Sequence, residues 1–284
     1  MLRAINTWDD YRAKLREFDA VLEHGKAVSA ALDGQPLSSS HASYGEQIFA
    51  KLLSHCTVLR SLAPDPNHGA PRELWDVSTM SAVACCVVEA HDAFEYIAGH
   101  DVTDSERAFR IMLWELHDQS RRLKMLVASG SELRRVETIR ADALRLQAAL
   151  ERHDFFHNLP AHLQAELQRR MTKGDTPAFH LNPRRRCAMS GVNADWYNAI
   201  TIHLSQYVHT LPFSVHELFQ CKAGTPDALR LMGLPVVYAT PFLVRVTQAV
   251  VRLMPVKAPA PPSRTARTML AWQMLAERGT HGIA

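Results

Sequence analysis

The chain has 284 residues, of which 47% are hydrophobic and 21% are charged. This balance is typical of a globular protein and excludes an intrinsically disordered one. The net charge of +3 is too small to indicate nucleic-acid binding by itself, because duplex-binding proteins carry a dense basic face. The 15 histidines predict that the positive charge rises on mild acidification.

The five cysteines indicate a reducing compartment. No CxxC pair occurs, and Cys85 and Cys86 are adjacent within an apolar segment, where neighbouring side chains point in different directions. We therefore predict buried, reduced thiols in a cytoplasmic protein rather than a disulfide framework. The first residues, MLRAINTWDDYRAKLREFD, contain no apolar stretch, so we expect no secretory signal.

Helical spacing recurs along the whole chain, and the period-2 alternation of strands is nearly absent. The sequence therefore predicts an all-α protein, an irregular multi-helix bundle over residues 1–256. A Pro-rich linker and a C-terminal docking helix follow at 257–284, and the helix can dock on its own bundle or on a partner. We predict helices over 6–32, 41–62, 72–98, 103–127, 131–153, 160–172, 194–210, 234–254 and 264–278, with a brief helix after Ser214 and a loop over 173–192.

Two of these helices carry further expectations. Residues 76–96 are apolar on nearly every side and should form the most buried helix. Residues 234–254 are apolar enough to suggest a membrane span, but Pro235, Pro241 and Arg245 interrupt them. We expect a buried core helix here and no membrane span, with a membrane-associated helix as the alternative.

Two segments, 89–92 and 115–118, read Glu-x-His-Asp. In each, Glu and His lie two positions apart, about 200° around a helix, so they cannot easily hold one metal ion together. We expect no metal and no cofactor, with a carboxylate-only site as the alternative. Glu89 lies on the most apolar helix, and a buried carboxylate needs a partner. An arginine from another helix is the favoured partner, and a functional carboxylate is the alternative.

Arg110 and His117 lie seven positions apart on one helix, so their side chains point in nearly the same direction. This spacing matches the wide end of the Arg-x(4–6)-His pattern of HEPN ribonucleases. In that chemistry the arginine would steady a phosphate and the histidine would act as acid or base at a 2′-hydroxyl. Ordinary helix-surface or ion-pairing roles are the favoured interpretation of these two residues, and catalysis is the alternative.

Polar side chains also collect on the predicted helix 194–210. Ser205 and His209 are i, i+4 neighbours that can hydrogen-bond, and Tyr197 precedes them on the same helix. A Ser–His dyad would need an oxyanion hole that the sequence does not indicate, so a buried hydrogen-bond cluster is favoured.

Residues 74–126 and 194–255 resemble a family of bacterial all-helical proteins that is often compared with HEPN bundles. The resemblance lies in Trp75-Asp76, the apolar helix that ends in Glu89-Ala90, and the Tyr…Leu-Ser-x-Tyr-Val-His element at 197–209. One departure is Cys85-Cys86, where the family pattern leads us to expect an arginine.

The resemblance implies RNA binding or RNA cleavage in stress or phage defence, with RNA or a second copy as partner. For such a function the candidate catalytic residues are Arg110, His117, Glu89 and His209, and the candidate binding residues are Tyr197, Ser205, Arg185 and Arg186. The alternative function is a non-enzymatic helical scaffold that acts through protein–protein contacts. Cleavage requires Arg110 and His117 to converge in a groove, whereas a scaffold requires an exposed apolar patch elsewhere.

Overall fold

The computed structural model describes residues 5–36, 39–64, 75–220, 222–254 and 258–279, without the side chains of 218–220. The structure is 79% helical, and no strand occurs in these ranges. The predicted all-α multi-helix bundle is therefore confirmed.

Twelve α-helices and one π-helical turn occur in the described ranges. They are α1 (Trp8–Leu32), α2 (Ser40–Leu62), α3 (Val77–Phe94), the π-turn (Glu95–Gly99), α4 (Asp104–Ala128), α5 (Leu133–Glu151), α6 (Asp154–His157), α7 (Ala161–Thr172), α8 (Pro183–Met189), α9 (Ala194–Val208), α10 (Pro212–Gln220), α11 (Pro226–Leu253) and α12 (Ser263–Arg278).

Two predicted boundaries are wrong. The expected loop over 173–192 contains α8, whose start is fixed by Asn182, because its side-chain oxygen accepts a hydrogen bond from the Arg185 N–H. The expected helix 234–254 begins at Pro226, since the Thr225 hydroxyl accepts from the Ala228 N–H and proline is favourable in the first helical turn. Side-chain caps, rather than hydrophobic periodicity, decide both starts.

The described chain divides into two compact units. Unit 1 consists of residues 1–95 and 187–284, and unit 2 consists of residues 96–186. The predicted domain boundary at residue 257 stays a prediction. Within unit 1, α12 packs against α1 and α11, and the Trp272 side chain is only 1% exposed.

The central helix of unit 1 is α11, which packs against α1, α2, α3 and α12. It buries 17 of its 28 residues, whereas α3 buries 10 of 18. The prediction that 76–96 is the most buried helix is therefore wrong. By length and composition α11 is also apolar enough to cross a membrane, and 72% of its most apolar 18-residue window is buried inside the protein.

Unit 2 has a core of its own, built by α4, α5, α6 and α7. Its buried residues are Phe109, Leu113, Leu116, Leu150, Phe156, Leu159, Leu167 and Met171. The core residues on α4 lie in its first half, and the one on α5 lies at its end, so the opposite end of this helical hairpin extends beyond the core.

The four cysteines that the structure describes are free thiols. Cys56 is fully buried, but Cys85 and Cys86 are half-buried, so their predicted full burial is wrong. Burial, together with the nearby Glu89 carboxylate, raises the pKa of Cys85 to about 11. Cys221 lies outside the described residues.

Gly25 allows α1 to approach α2 and α11 closely. A Cβ atom at this position would lie 2.9 Å from Cδ2 of Leu53 and 3.3 Å from Oγ1 of Thr247. Since a well-packed core resists added volume, a larger side chain here must displace one of these helices.

We expect Gly25→Val to lower the free energy of unfolding by about 2–3 kcal/mol, because the cost of overpacking exceeds the gain in helix propensity over glycine. Urea denaturation followed by circular dichroism measures the change. Ala27→Val, at an exposed position of the same helix, is the control and should change stability by less than about 0.5 kcal/mol. Equal effects of the two substitutions would show that Gly25 does not set the helix spacing.

Candidate functional site

The end of the π-turn is held by two arginines from α4. Helix ends leave carbonyl groups without intrahelical partners. The Arg107 guanidinium donates to the carbonyls of Ile97 (3.2 Å), Ala98 (3.1 Å) and His100 (2.8 Å). Arg110 donates to the Tyr96 carbonyl at 2.9 Å. Arg110 and Arg107 together therefore close the end of this helix.

Arg110 is fully buried, and its remaining donors also have protein partners. Its Nε and Nη2 donate to Oε1 of Glu106 at 3.0 and 2.5 Å, and Nδ1 of His100 accepts at 2.9 Å from Nη1. The guanidinium carbon lies 4.6 Å from the centroid of the Tyr96 ring. A buried arginine in this arrangement is a structural cation, paired with the Glu106 carboxylate.

His180 completes this network, which we call the Arg110 network. Tyr96 donates its hydroxyl hydrogen to Nδ1 of His180 at 2.8 Å. Burial, and then the positive charges of Arg110 and Arg185, lower the pKa of His180 from 6.5 to about 3. Glu106 lies 4.0 Å from Nε2, but its charge is already neutralised by Arg110. We therefore expect His180 to be neutral at pH 7.

His117 has a different environment from Arg110. Its Nδ1 lies 2.7 Å from the carbonyl oxygen of Thr176, to which it donates. The side chain is half-buried, and the two residues lie about 10 Å apart along α4. Within unit 2, Arg110 faces the π-turn and His117 faces residue 176, so they engage separate segments of the chain.

A second polar cluster lies in unit 1, at the end of α3. The Asp92 carboxylate accepts hydrogen bonds from the Tyr197 hydroxyl at 2.5 Å and from Nδ1 of His91 at 3.2 Å. Nε2 of His91 lies 3.8 Å from Oε1 of Glu95. His91, Asp92 and Glu95 are all buried, so this cluster joins α3 to α9 in the interior. The predicted binding residue Tyr197 is part of it.

The remaining predicted residues of unit 1 lie outside that cluster. Glu89 is exposed, so its interpretation as a buried carboxylate paired with an arginine is wrong; its Oε1 lies 4.0 Å from Sγ of Cys85. Ser205 donates its hydroxyl to the Ile202 carbonyl at 2.8 Å rather than to His209. His209 is exposed and ends α9 through its backbone N–H.

The two predicted binding arginines belong to α8. Arg185 is exposed. Arg186 lies with its guanidinium carbon 4.1 Å from the centroid of the Phe179 ring and donates to the Leu181 carbonyl at 3.0 Å. Arg186 therefore packs on its own unit, whereas Arg185 remains accessible.

If the candidate residues formed one site, at least three of Glu89, Arg110, His117, Tyr197 and His209 should line a single pocket, and neither unit brings three of them together. Tyr197 begins α9 and His209 follows its end, which separates them by about 18 Å. Unit 2 holds only Arg110 and His117 of the five side chains considered. In the described part of the chain, no group of three or more His, Cys, Asp and Glu side chains is placed to hold a metal ion.

Sequence reasoning missed Glu95, His100, Arg107 and His180. Thr103 and Glu106 have the Thr-x-x-Glu spacing of a capping box, and the Thr103 hydroxyl accepts a hydrogen bond from the Glu106 N–H at 3.2 Å. The Glu106 carboxylate, however, pairs with Arg110. The i, i+4 spacing of Glu106 and Arg110 was the available signal for this pair. His180 lies in an irregular segment and carries no such signal.

We expect Arg110→Ala to lower the free energy of unfolding by about 3–5 kcal/mol, because it leaves Glu106 and the Tyr96 carbonyl without their buried donor. Denaturant unfolding measures this loss. The matched control is Arg122→Ala, which removes an exposed pair with Asp118 and should reduce stability by less than about 1 kcal/mol. A loss below about 1 kcal/mol for Arg110→Ala would contradict a structural role.

We expect acidification from pH 7 to pH 4.5 to destabilise the protein through His180. The unfolded chain takes up a proton near pH 6.5, whereas the folded chain does so only near pH 3, so stability falls as the pH falls. The contribution of this one group is about 2–3 kcal/mol. His180→Gln should flatten the pH dependence of unfolding by this amount, while His162→Gln, at an exposed site, should leave it unchanged.

In comparisons with known proteins, no protein-family model, no curated protein sequence and no solved structure matches this chain. The resemblance to HEPN-type bundles stays a prediction, and the function has to be inferred from the residues described above.

Proposed function

We propose that this protein is a non-enzymatic, cytosolic helical scaffold that acts through protein–protein contacts. The observation that carries the proposal is an exposed apolar surface on unit 1. We define this α9–α10 surface by three large side chains that are 38–45% exposed: Val208, Leu211 and Phe213.

The surface is nearly free of charge. Between Trp196 and Cys221 the sequence contains one Asp, Glu, Lys or Arg, which is Glu217. That carboxylate accepts a hydrogen bond from the Tyr207 hydroxyl, so a donor within unit 1 already stabilises its negative charge. Depletion of charge and enrichment of aromatic residues are the compositional features that distinguish the centre of a protein–protein interface from other surfaces.

Aromatic packing gives this surface a fixed shape. The Phe213 ring lies with its centroid 6.1 Å from that of Tyr207 and 6.2 Å from that of His203. His203 also packs against Tyr238 of α11 at 5.5 Å, and burial lowers the pKa of His203. A preorganised aromatic surface loses little side-chain entropy when a partner binds, which favours affinity.

The Arg110 network supports a scaffold over a ribonuclease. Phosphate stabilisation requires a guanidinium that can reach the substrate, but Arg110 is 0% exposed and donates to Glu106, Tyr96 and His100. A substrate phosphate would have to displace the Glu106 carboxylate from a buried pair, which is unfavourable by several kcal/mol.

The proposal is tested by photo-crosslinking in the cell from which the chain comes. A photoreactive phenylalanine analogue replaces Phe213, and the covalent adducts are identified by mass spectrometry. The control carries the analogue at Val58, which is 47% exposed on α2. We expect one defined protein, or a second copy of this chain, to be captured at position 213 and not at position 58. Equal capture at both positions, or none at 213, would rule out this surface.

The same surface gives a quantitative expectation once its partner is identified. Phe213→Asp should weaken the interaction by at least about tenfold, because it places a charge at the centre of an apolar contact. Val58→Asp should change the affinity by less than about twofold. Isothermal titration with purified proteins, or light scattering if the partner is a second copy, measures both.

A further inference from the structure

The end of the α4–α5 hairpin, defined here as residues 121–135, extends away from the core of unit 2. α4 contributes Phe109, Leu113 and Leu116 to that core and then continues for about 18 Å beyond Leu116. Ten of the twelve residues over 124–135 are exposed. Water therefore surrounds this end of the hairpin on most sides.

Three large aliphatic side chains at the hairpin end face this water. Met125, Val127 and Leu133 are 62%, 57% and 69% exposed. Single exposed apolar residues are ordinary on protein surfaces, but here three large ones lie on different sides of the same hairpin end. Such a concentration of exposed aliphatic side chains is typical of a segment that becomes covered when it binds.

The hairpin end is also basic. It contains a single acidic residue, Glu132. Its basic residues are Arg121, Arg122, Lys124, Arg134 and Arg135. This composition contrasts with the net charge of only +3 for the whole chain, so positive charge is concentrated where the aliphatic side chains are exposed.

Of these five basic residues, Arg134 and Arg135 have no partner within the residues that the structure describes, whereas Arg121 and Lys124 do. Arg121 and Lys124 share the Asp175 carboxylate, at 3.3 and 3.5 Å. Arg134 and Arg135, at the start of α5, are exposed and make no ion pair or hydrogen bond through their side chains within the residues that the structure describes. An anionic partner can therefore engage them without breaking an existing interaction.

We propose that the hairpin end docks on an anionic lipid surface. The three aliphatic side chains enter the outer part of the hydrocarbon layer, while Arg134 and Arg135 stay at the level of the lipid phosphates. Each basic residue near such a surface strengthens binding by about fivefold, and insertion of aliphatic groups adds to this attraction.

A nucleic acid fits the hairpin end less well. Its phosphates would pair with Arg134 and Arg135, but Met125, Val127 and Leu133 would remain in contact with water. Residues 121–135 also include no aromatic side chain on which a base can stack. A lipid surface satisfies the cationic and the aliphatic groups together.

The experiment measures binding of the full chain to vesicles by cosedimentation. One set of vesicles contains phosphatidylcholine with about one-third phosphatidylserine, and the other contains phosphatidylcholine alone. We expect binding to the anionic vesicles that weakens as salt rises, and no binding to the neutral ones. Equal binding to both sets, or binding to neither, would overturn the proposal. Binding to a single-stranded RNA oligomer but not to vesicles would also overturn it.

Charge variants test the role of the arginines. The double variant Arg134→Gln, Arg135→Gln should weaken binding to anionic vesicles by about 25-fold. The control variant Arg264→Gln, Arg267→Gln removes two exposed charges from α12 in unit 1 and should weaken it by less than about threefold. If both double variants lost the same affinity for anionic vesicles, net charge alone would account for binding. That result would contradict docking through the hairpin end.

An aliphatic variant tests insertion. Leu133→Asp should weaken vesicle binding by at least about tenfold, because it replaces an inserted side chain by an anion. Leu270→Asp, at a 57% exposed position of α12, adds the same charge elsewhere and serves as the control. If Leu133→Asp and Leu270→Asp have the same effect, no insertion occurs at the hairpin end. Phe213→Asp should leave vesicle binding unchanged, so this inference and the scaffold proposal fail independently.

Discussion

The carbonyl groups at the end of the π-turn impose the main constraint on unit 2. A helix that ends in the interior must find donors for these groups, and here they come from Arg107 and Arg110. Once Arg110 is buried against the Tyr96 carbonyl, its charge requires the partly buried Glu106 carboxylate, and His180 must remain neutral beside it. The need to provide donors for the carbonyl groups at this helix end therefore determines which charged and neutral side chains surround Arg110.

Sequence periodicity and capping residues predicted most of the fold, because both act locally. The Thr103 cap and the apolar stripes of α1 and α2 are examples. The sequence did not reveal the burial of Arg110, since its backbone acceptors have no signature in the sequence, or the exposure of Glu89, which depends on where neighbouring helices pack. Of the candidate sites, Tyr197 was found because a hydroxyl on a largely apolar helix needs a partner, which is Asp92.

The two accessible surfaces discussed above differ in physical character. The α9–α10 surface is almost uncharged and rigidly packed, which suits a protein partner. The hairpin end is basic and aliphatic, which suits an anionic lipid surface. Because their recognition chemistries differ, a chain that carries both can hold a protein partner at a membrane without competition between the two contacts, and salt should weaken only the second.

The division of the sequence between the two units also affects how the chain folds during synthesis. The core of unit 2 lies wholly between Phe109 and Met171, so it can form as soon as that stretch has left the ribosome. In unit 1, by contrast, α3 must wait for α11 to be synthesised, a delay on the order of ten seconds at ordinary elongation rates. During that interval the faces of α1, α2 and α3 that pack on α11 in the folded protein stay uncovered, so the nascent first half of the chain exposes apolar surface.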